Sequence, residues 1–540
     1  MATISLLSSE LDGCMTDHPG LLLYDYDLGI MSIVDENSRS IREKDKNDAN
    51  HLSQHEEEDS RCKNKGLDLI DTGNKSAEVK NPAPTMGIDD DCSPLSPSSS
   101  FSVSSIGNIE HSFVDALLLC GWDNILGPRL DHVWYVRGRP QPHTNILRYV
   151  TTQALSGEIC RDIFSNQIDF KFFDIPDKGI IIPTFVFSAQ GLRGLALKAL
   201  ALVIPNSELP LYLHQDELIQ AWFTRIVAKL RVICAKKDFA TSGLADLSSW
   251  LWSSMAMLSS LQEVGLPIKI ELNYTAFCPA NTLESDFLRL VISSHLMTYG
   301  RSLVVGAMAD RVNILVYTLG LFCWEGDLMC SRAALQGRPW PYFQDLCVQG
   351  CIKNPDGSHN LSVRDLLCSR YPTTIVDVDQ RDVTQSSSAV DHWRLSHEAL
   401  MEELEELYQG REGNSIGRAA PFQSANFPES LVKDLVDDVH KLPPENGAKE
   451  AYIHHFMLSL QRRAFCLIKY LEGEMSSSAN SPRLSVKRLK QDLGLTLEGD
   501  FRIVLSAADK LKPGILHFVC HGGRSAKYDS EYLPNMTDVL

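Results

Sequence analysis

Between Phe113 and Lys237, short apolar runs and helical stripes follow one another in an order that few architectures accommodate. FVDALLLCGW reads as a strand, DNILGPR supplies turn residues (Asp123, Asn124, Gly127, Pro128), and LDHVWYV alternates as a returning strand. TNILRYVTTQALSGEI then places Ile146, Leu147, Val150, Ala154 and Leu155 on one helical face, with Gly157 ending the helix. IDFKFF, GIIIPTFVF and LALKALALVIP supply three further strands, the last two joined through a Gly191–Gly194 turn. QDELIQAWFTRIVAKLRVICAKK closes the series as a helix in which Leu218, Trp222, Ile226 and Leu230 recur every four residues. Acids lead its first turn and lysines crowd its end, the arrangement the helix dipole favours. Two strands, a helix, three strands and a helix define an α/β sandwich around one sheet.

The following stretch is less periodic, with a helix expected over Asp246–Gln262 and a short strand over Ile268–Leu272. From Asp286 a second βα pattern begins. A helix with Leu288, Val291, Ile292 and Leu296 inward leads to SLVVGA, a uniformly apolar run of the kind a strand covered on both faces requires. Asp310 opens another helix with Val312, Leu315, Val316, Leu319 and Phe322 inward, and PTTIVDV (Pro372–Val378) joins the same sheet. Beyond Gln380 the pattern is helical: His392–Gln409, Ala451–Leu471 (Tyr452, Phe456, Leu460, Ala464, Leu467 and Leu471 inward), and a last helix burying Phe501, Val504, Leu505, Ala508 and Leu511. Pro513-Gly514 stops that helix, and the chain after Phe518 is expected to fray.

Charge separates the beginning of the chain from the rest. Met1–Glu110 holds 9 Lys+Arg and 21 Asp+Glu, so -12 of the net -18 lies there. This polar, Ser-rich segment ends in SPLSPSSSFSVSS and buries too little apolar surface to fold, so disorder is expected over residues 1–110. Ser93-Pro94, Ser96-Pro97 and Ser481-Pro482 are candidate proline-directed phosphorylation sites, and Leu21–Val34 is a candidate linear motif. An acidic chain without a basic face is not expected to bind nucleic acid. The start lacks a basic, apolar leader, and Gly179–Ala189 and Val312–Trp324 are shorter than the roughly 18–20 residues a bilayer requires. Membranes are therefore expected to be reached only indirectly.

The 14 cysteines contain no C-x-x-C pair and read as reduced, buried thiols; Cys323, Cys330, Cys347 and Cys351 come nearest to metal-ligand spacing without matching it. No phosphate-cradling loop, dinucleotide fingerprint, kinase or zincin signature is present. Gly413-Asn414-Ser415-Ile416-Gly417 fits G-x-S-x-G on paper, with His521-Gly522-Gly523 downstream. A charged helix precedes it and Pro421 follows, whereas a nucleophile elbow needs a buried strand and then a helix. His454 and His455 are adjacent and cannot share a helical face as paired ligands, and the carboxylates of Glu402–Glu406 sit at solvated helix spacing. No catalytic, cofactor-binding or metal residue is assigned, and no cofactor is expected.

GWDNILGPRLDHVW (Gly121–Trp134), LSGEI (Leu155–Ile159), DFKFF, KGIII, SSHLMTYGRSLVVG (Ser293–Gly306), YPTTIVDVD (Tyr371–Asp379), LIKYLE (Leu467–Glu472), DLGLTLEGD and ADKLKPGILHF together resemble, in order, the longin–DENN family of the chromosome-nine open reading frame seventy-two protein. The resemblance runs from Phe113 to Phe518 and leaves the N-terminal extension unmatched. It implies an α/β fold: a longin domain (111–240) with a five-stranded sheet, a linker opening the DENN region (241–282), a DENN α/β core (283–390), a DENN helical part (391–520) and a flexible tail (521–540). It also implies partners: a second longin–DENN protein of the Smith–Magenis-region family, a WD-repeat protein, and small GTPases of the Rab and Arf families.

The function the resemblance implies first is that of a regulatory subunit in a complex that activates GTP hydrolysis, in the cytoplasm at lysosomes, autophagosomes and endosomes, with a nuclear pool besides. In such a complex the arginine finger is expected from a partner chain; Arg193 on the Gly191–Gly194 turn is the reachable arginine here, and a solvated turn residue is its simpler role. Two other readings stand beside it: a guanine-nucleotide exchange factor acting through the DENN domain, and a pure scaffold whose longin sheet pairs with a partner sheet.

Overall fold

A computed structural model describes residues 22–25, 30–33, 101–109, 111–158, 167–191, 194–235, 243–337, 340–354, 361–410, 422–443, 447–477 and 485–520. Two compact units divide the chain at Ser96/Pro97. In the first, β1 (Leu22–Asp25) and β2 (Ile30–Ile33) form an antiparallel pair within the candidate linear motif. The three Ser-Pro sites, Arg193, Gly413–Gly417 and His521–Gly523 lie outside the described residues.

The second unit opens with an unexpected strand. β3 (Ser102–Asn108) pairs in parallel with β5 (Gly127–Arg137), which is antiparallel to β4 (Ala116–Asp123). After α1 (Thr144–Ala154) come β6 (Asp169–Ile175), β7 (Ile180–Gly191) and β8 (Gly194–Pro205). The sheet runs β3-β5-β4-β8-β7-β6, six strands where five were expected. The expected disorder over 1–110 therefore does not extend to its last residues. Serine-rich composition concealed a strand whose edge position needs few apolar side chains: Phe101 packs on one face of the sheet and Ile106 on the other.

Both faces are covered, which accounts for the unbroken ALLLC run. Ala116, Leu118 and Cys120 meet Leu147, Val150, Ala154 and Leu155 around α1, whereas Leu117 and Leu119 meet α2 (Leu209–Ala235) and α3 (Leu244–Val264). Ile146 is only half-buried, and α1 stops at Ala154; Gly157, at φ 78°, belongs to the turn beyond. Pro210 is tolerated in α2 because the first turn has no intrahelical acceptor for its missing N–H.

No strand forms over Ile268–Leu272. Pro267 removes a donor, the backbone N–H of Leu266 bonds Ser331 O at 3.2 Å, and Leu266 and Ile270 are buried in a loop that leads into a 3-10 turn at Leu272–Tyr274. α4 (Ser285–Met297) leads to β9 (Ser302–Gly306), followed by α5 (Ala309–Gly320) and a short α6 (Glu325–Met329). β10 (Val348–Ile352) was not legible in the sequence; it pairs in parallel with β9 and is followed by α7 (Val363–Leu367). β11 (Thr374–Asp377) takes the other side of β9, also in parallel. The chain then stays in the sheet beyond Gln380, correcting the purely helical expectation: β12 (Asp382–Gln385) and, after α8 (Ala389–Gln409), β13 (Gln423–Ser424) extend it antiparallel. Its order is β10-β9-β11-β12-β13.

α9 (Leu431–Lys441), α10 (Ala448–Ser477), α11 (Val486–Asp492), α12 (Glu498–Leu511) and α13 (Ile515–Cys520) complete the fold. Residues 519–520, where fraying was expected, are helical, and residues 521–540 lie outside the described residues. Val291, Leu315 and Val376 of the sheet layer share one core with Leu467, Leu471, Phe501 and Val504 of the helices. Phe343, Leu346 and Cys347 in turn pack into the core beneath the first sheet, so the two sheets are joined by buried apolar surface.

Candidate functional site

In the second sheet, β9 is flanked by a parallel strand on each side, reached by the chain first on one side and then on the other. Open α/β sheets bind ligands at such a switch point, beyond the carboxyl ends of the strands. The loop after β9 is fixed there by charge. Asp379 Oδ2 accepts from the Ala307 backbone N–H (2.9 Å) and from Lys353 Nζ (3.1 Å), while Lys353 also reaches Asp377 Oδ1 at 2.7 Å. Burial works against charge on Lys353, but the two carboxylates prevail and raise its pKa; burial likewise works against the Asp377 carboxylate, and Lys353 with two backbone N–H groups lowers its pKa. Gln336 Oε1 accepts from the Ala309 N–H at 3.0 Å and ties the start of α5 to the neighbouring loop. Two apolar side chains stand exposed on this rim, Met308 at 56% and Leu335 at 37%. A rigid backbone that presents apolar groups beside charge has the composition of protein interfaces. Sequence reasoning missed this site: Pro372–Val378 reads only as a strand, and without β10 the lysine opposite Asp377 and Asp379 has no place.

A second polar cluster is enclosed between the sheets. Asp327 accepts from Lys510 of α12 and from Cys347 Sγ (3.3 Å), with the ammonium 4.5 Å from the Trp324 ring centroid. Arg301 donates to the backbone carbonyl of Asp345 and lies 5.6 Å from the Tyr371 ring centroid. Asp345 itself accepts from Arg225 of α2 at 2.8 Å and from the Arg370 N–H at 2.6 Å. Burial favours protonation of both carboxyls, yet Lys510 and Arg301 hold Asp327, and Arg225 and Arg301 hold Asp345, below the usual carboxylate range. These contacts lock three layers together.

The residues weighed from sequence are dispersed. His454 and His455 are exposed on α10. Glu402–Glu406 is not simply solvated: Glu403 pairs with Lys229 of α2 at 2.6 Å and Glu406 with Arg364 at 2.7 Å, anchoring α8. Cys330, Cys347 and Cys351 are buried, and Cys323 is half-buried. Burial pushes the Cys330 thiol up to about 12 and raises Cys323, Cys347 and Cys351 as well, so all four are held as neutral thiols. Among the described residues, no group of three or more His, Cys, Asp or Glu could hold a metal ion.

Two sheets, the first closed on both faces by helices and the second continuous with a helical layer, define a longin–DENN architecture whose exposed features suit docking. The C9orf72-like protein family model matches residues 149–392. The human protein named guanine nucleotide exchange factor C9orf72 is 30% identical over 436 residues, covering 74% of this chain and 90% of that protein. The Mus musculus and Rattus norvegicus homologues match to the same extent. The chain belongs to the C9orf72-like family.

Proposed function

We propose that this protein regulates small GTPases as a guanine-nucleotide exchange factor, docking them on the rim that carries Met308 and Leu335. The observation that carries this reading is the 30% identity over 90% of the length of a protein named for that activity. Exchange requires only a surface that holds the switch segments in a conformation poor at binding nucleotide, so it needs no nucleophile, metal or general base. By linkage, a factor that weakens nucleotide binding must itself bind the nucleotide-free GTPase more tightly. The test is the affinity of the full chain for Rab and Arf GTPases without nucleotide, with GDP and with GTP. The proposal expects a preference of at least about tenfold for the nucleotide-free form, and equal affinity for all three forms contradicts it.

One observation favours a second reading. β6 has no neighbour on its outer side among the described residues, and Phe172 on it is 38% exposed. An open edge suits pairing with another sheet, as a subunit of a complex with a second longin–DENN protein and a WD-repeat protein would need. In that arrangement a partner supplies the arginine for GTP hydrolysis, and preference for the GTP-bound form would support it. Under both readings we place the protein in the cytoplasm, recruited through partners to lysosomal, autophagosomal and endosomal membranes.

A further inference from the structure

Between Glu450 and Glu472, helix α10 contains no acidic residue, in a chain whose net charge is -18. Two series with a seven-residue spacing run through that stretch: Ala451, Leu458, Phe465, and, four positions on, His455, Arg462, Lys469. All six are exposed, with Leu458 at 40% and Phe465 at 38%. Residues four and seven apart lie on one side of a helix, so the series form an apolar line and a basic line side by side. The opposite side holds Ile453, Leu460, Ala464, Leu467 and Leu471, which are buried in the core. Arg462 and Arg463 make no ion pair with any described acid, and Lys469 reaches only Glu472 of its own helix, at 2.9 Å. Beside the face, a cleft of about 200 Å³ between α9 and α10 is lined by Leu431, Leu435, Tyr452 and Phe456, with Asp434 and Arg463 at its margin.

We propose that this outer face of α10 is a docking surface for an acidic amphipathic helix of a partner protein. A seven-residue recurrence is the spacing at which two helices keep one seam in contact, and charges flanking such a seam select the partner. Leu458 and Phe465 supply the seam, the cleft takes an apolar side chain, and His455, Arg462 and Lys469 face the partner's carboxylates. An anionic membrane fits less well. The apolar line is a single side chain wide, and Asp434 and Asp437 of α9 stand exposed nearby on a strongly acidic protein. The site is separate from the GTPase rim and does not depend on it.

The test uses the full chain and a fluorescent synthetic helix of about three heptads with leucine on its seam and glutamate flanking it. Fluorescence anisotropy should show saturable binding, with a scrambled peptide much weaker. R462E/K469E should weaken binding by about tenfold or more and gain affinity for a lysine-flanked version of the peptide. L458D/F465D should abolish binding, while circular dichroism confirms that these exposed changes leave the fold intact. Absence of saturable binding, or binding that ignores both variants, overturns the proposal. So does stripe-dependent sedimentation with phosphatidylserine vesicles in place of peptide binding, which would assign the face to a membrane.

Discussion

Arg225 and Asp345 meet at 2.8 Å across the junction of the two sheets, one on helix α2 and the other in the loop before β10. Asp345 sits at φ 63°, a conformation few side chains other than Asn, Asp or Gly adopt, and its other oxygen accepts from the Arg370 N–H. Replacing Asp345 by alanine takes the carboxylate from the largely buried Arg225 guanidinium, while Arg301 keeps its bond to the backbone carbonyl of residue 345. Loss of one partner of a buried pair costs about 3–5 kcal/mol, so Asp345→Ala should lower the urea midpoint sharply. Wild-type stability in that variant would show the junction to be held by apolar packing alone.

Acid should weaken the fold as pH falls through the range in which free histidine titrates. Burial lowers His295 to about 3, with Lys510 acting in the same direction, and lowers His392 to about 4 against the pull of its bond to Ser369. His392 donates from Nε2 to the Ser369 carbonyl at 2.8 Å and accepts at Nδ1 from Ser387. Both histidines are therefore folded neutral, and their stabilisation is complete above the unfolded value near 6.5 and is lost as pH falls toward the folded values. Each should cost about 1.4 kcal/mol per pH unit below pH 6.5. Asp327 and Asp345, held low, add their loss only at lower pH, and Asp365 and Asp509, raised by burial, act in the opposite direction. Unfolding of His392→Gln between pH 7 and pH 5 should show a shallower slope than wild type; an unchanged slope would mean that His392 does not titrate on unfolding.

β3 predicts a sharp boundary for truncation. Removing Met1–Ser100 should leave stability unchanged, whereas removing Met1–Asn108 takes Ile106 from the core and exposes the edge of β5. Ile106→Ala alone should cost about 2–4 kcal/mol. Hydrogen exchange over Gly127–Arg137 reads the same event directly, and protection there that survives the longer truncation would contradict the pairing.

Gly350 tests how closely α5 is seated on the second sheet. A methyl group there would lie 2.8 Å from the Ala334 backbone nitrogen and 2.9 Å from Val312. Gly350→Ala should destabilise by about 1–3 kcal/mol through overpacking, measured as a fall in thermal midpoint. No change would mean that the helix shifts freely.

Periodicity carried most of the first sheet and the major helices because β4, β7 and β8 and the inward helix faces are long, strongly apolar runs. It failed where chemistry was ambiguous. VQGCI reads as a strand only once β9 lies beside it, and a serine-rich strand needs one buried isoleucine that composition cannot single out. Ile268–Leu272 failed for the opposite reason: Ile270 and Leu272 are buried without a strand to pair with, and Ile268 is left exposed. Of the candidate rim, the sequence showed only the strand that carries Asp377, and Lys353 reaches Asp377 and Asp379 only through the register of β10. A docking surface leaves no motif, because its residues are defined by exposure on a rigid frame.

GDP release tests the exchange activity most directly. Purified full chain mixed with Rab and Arf GTPases carrying fluorescent GDP should accelerate release from at least one of them, by about tenfold or more. Met308→Asp, exposed and outside the core, should abolish the acceleration without lowering stability. No acceleration from any of these GTPases, or acceleration untouched by that substitution, would contradict the exchange mechanism or the rim assigned to it.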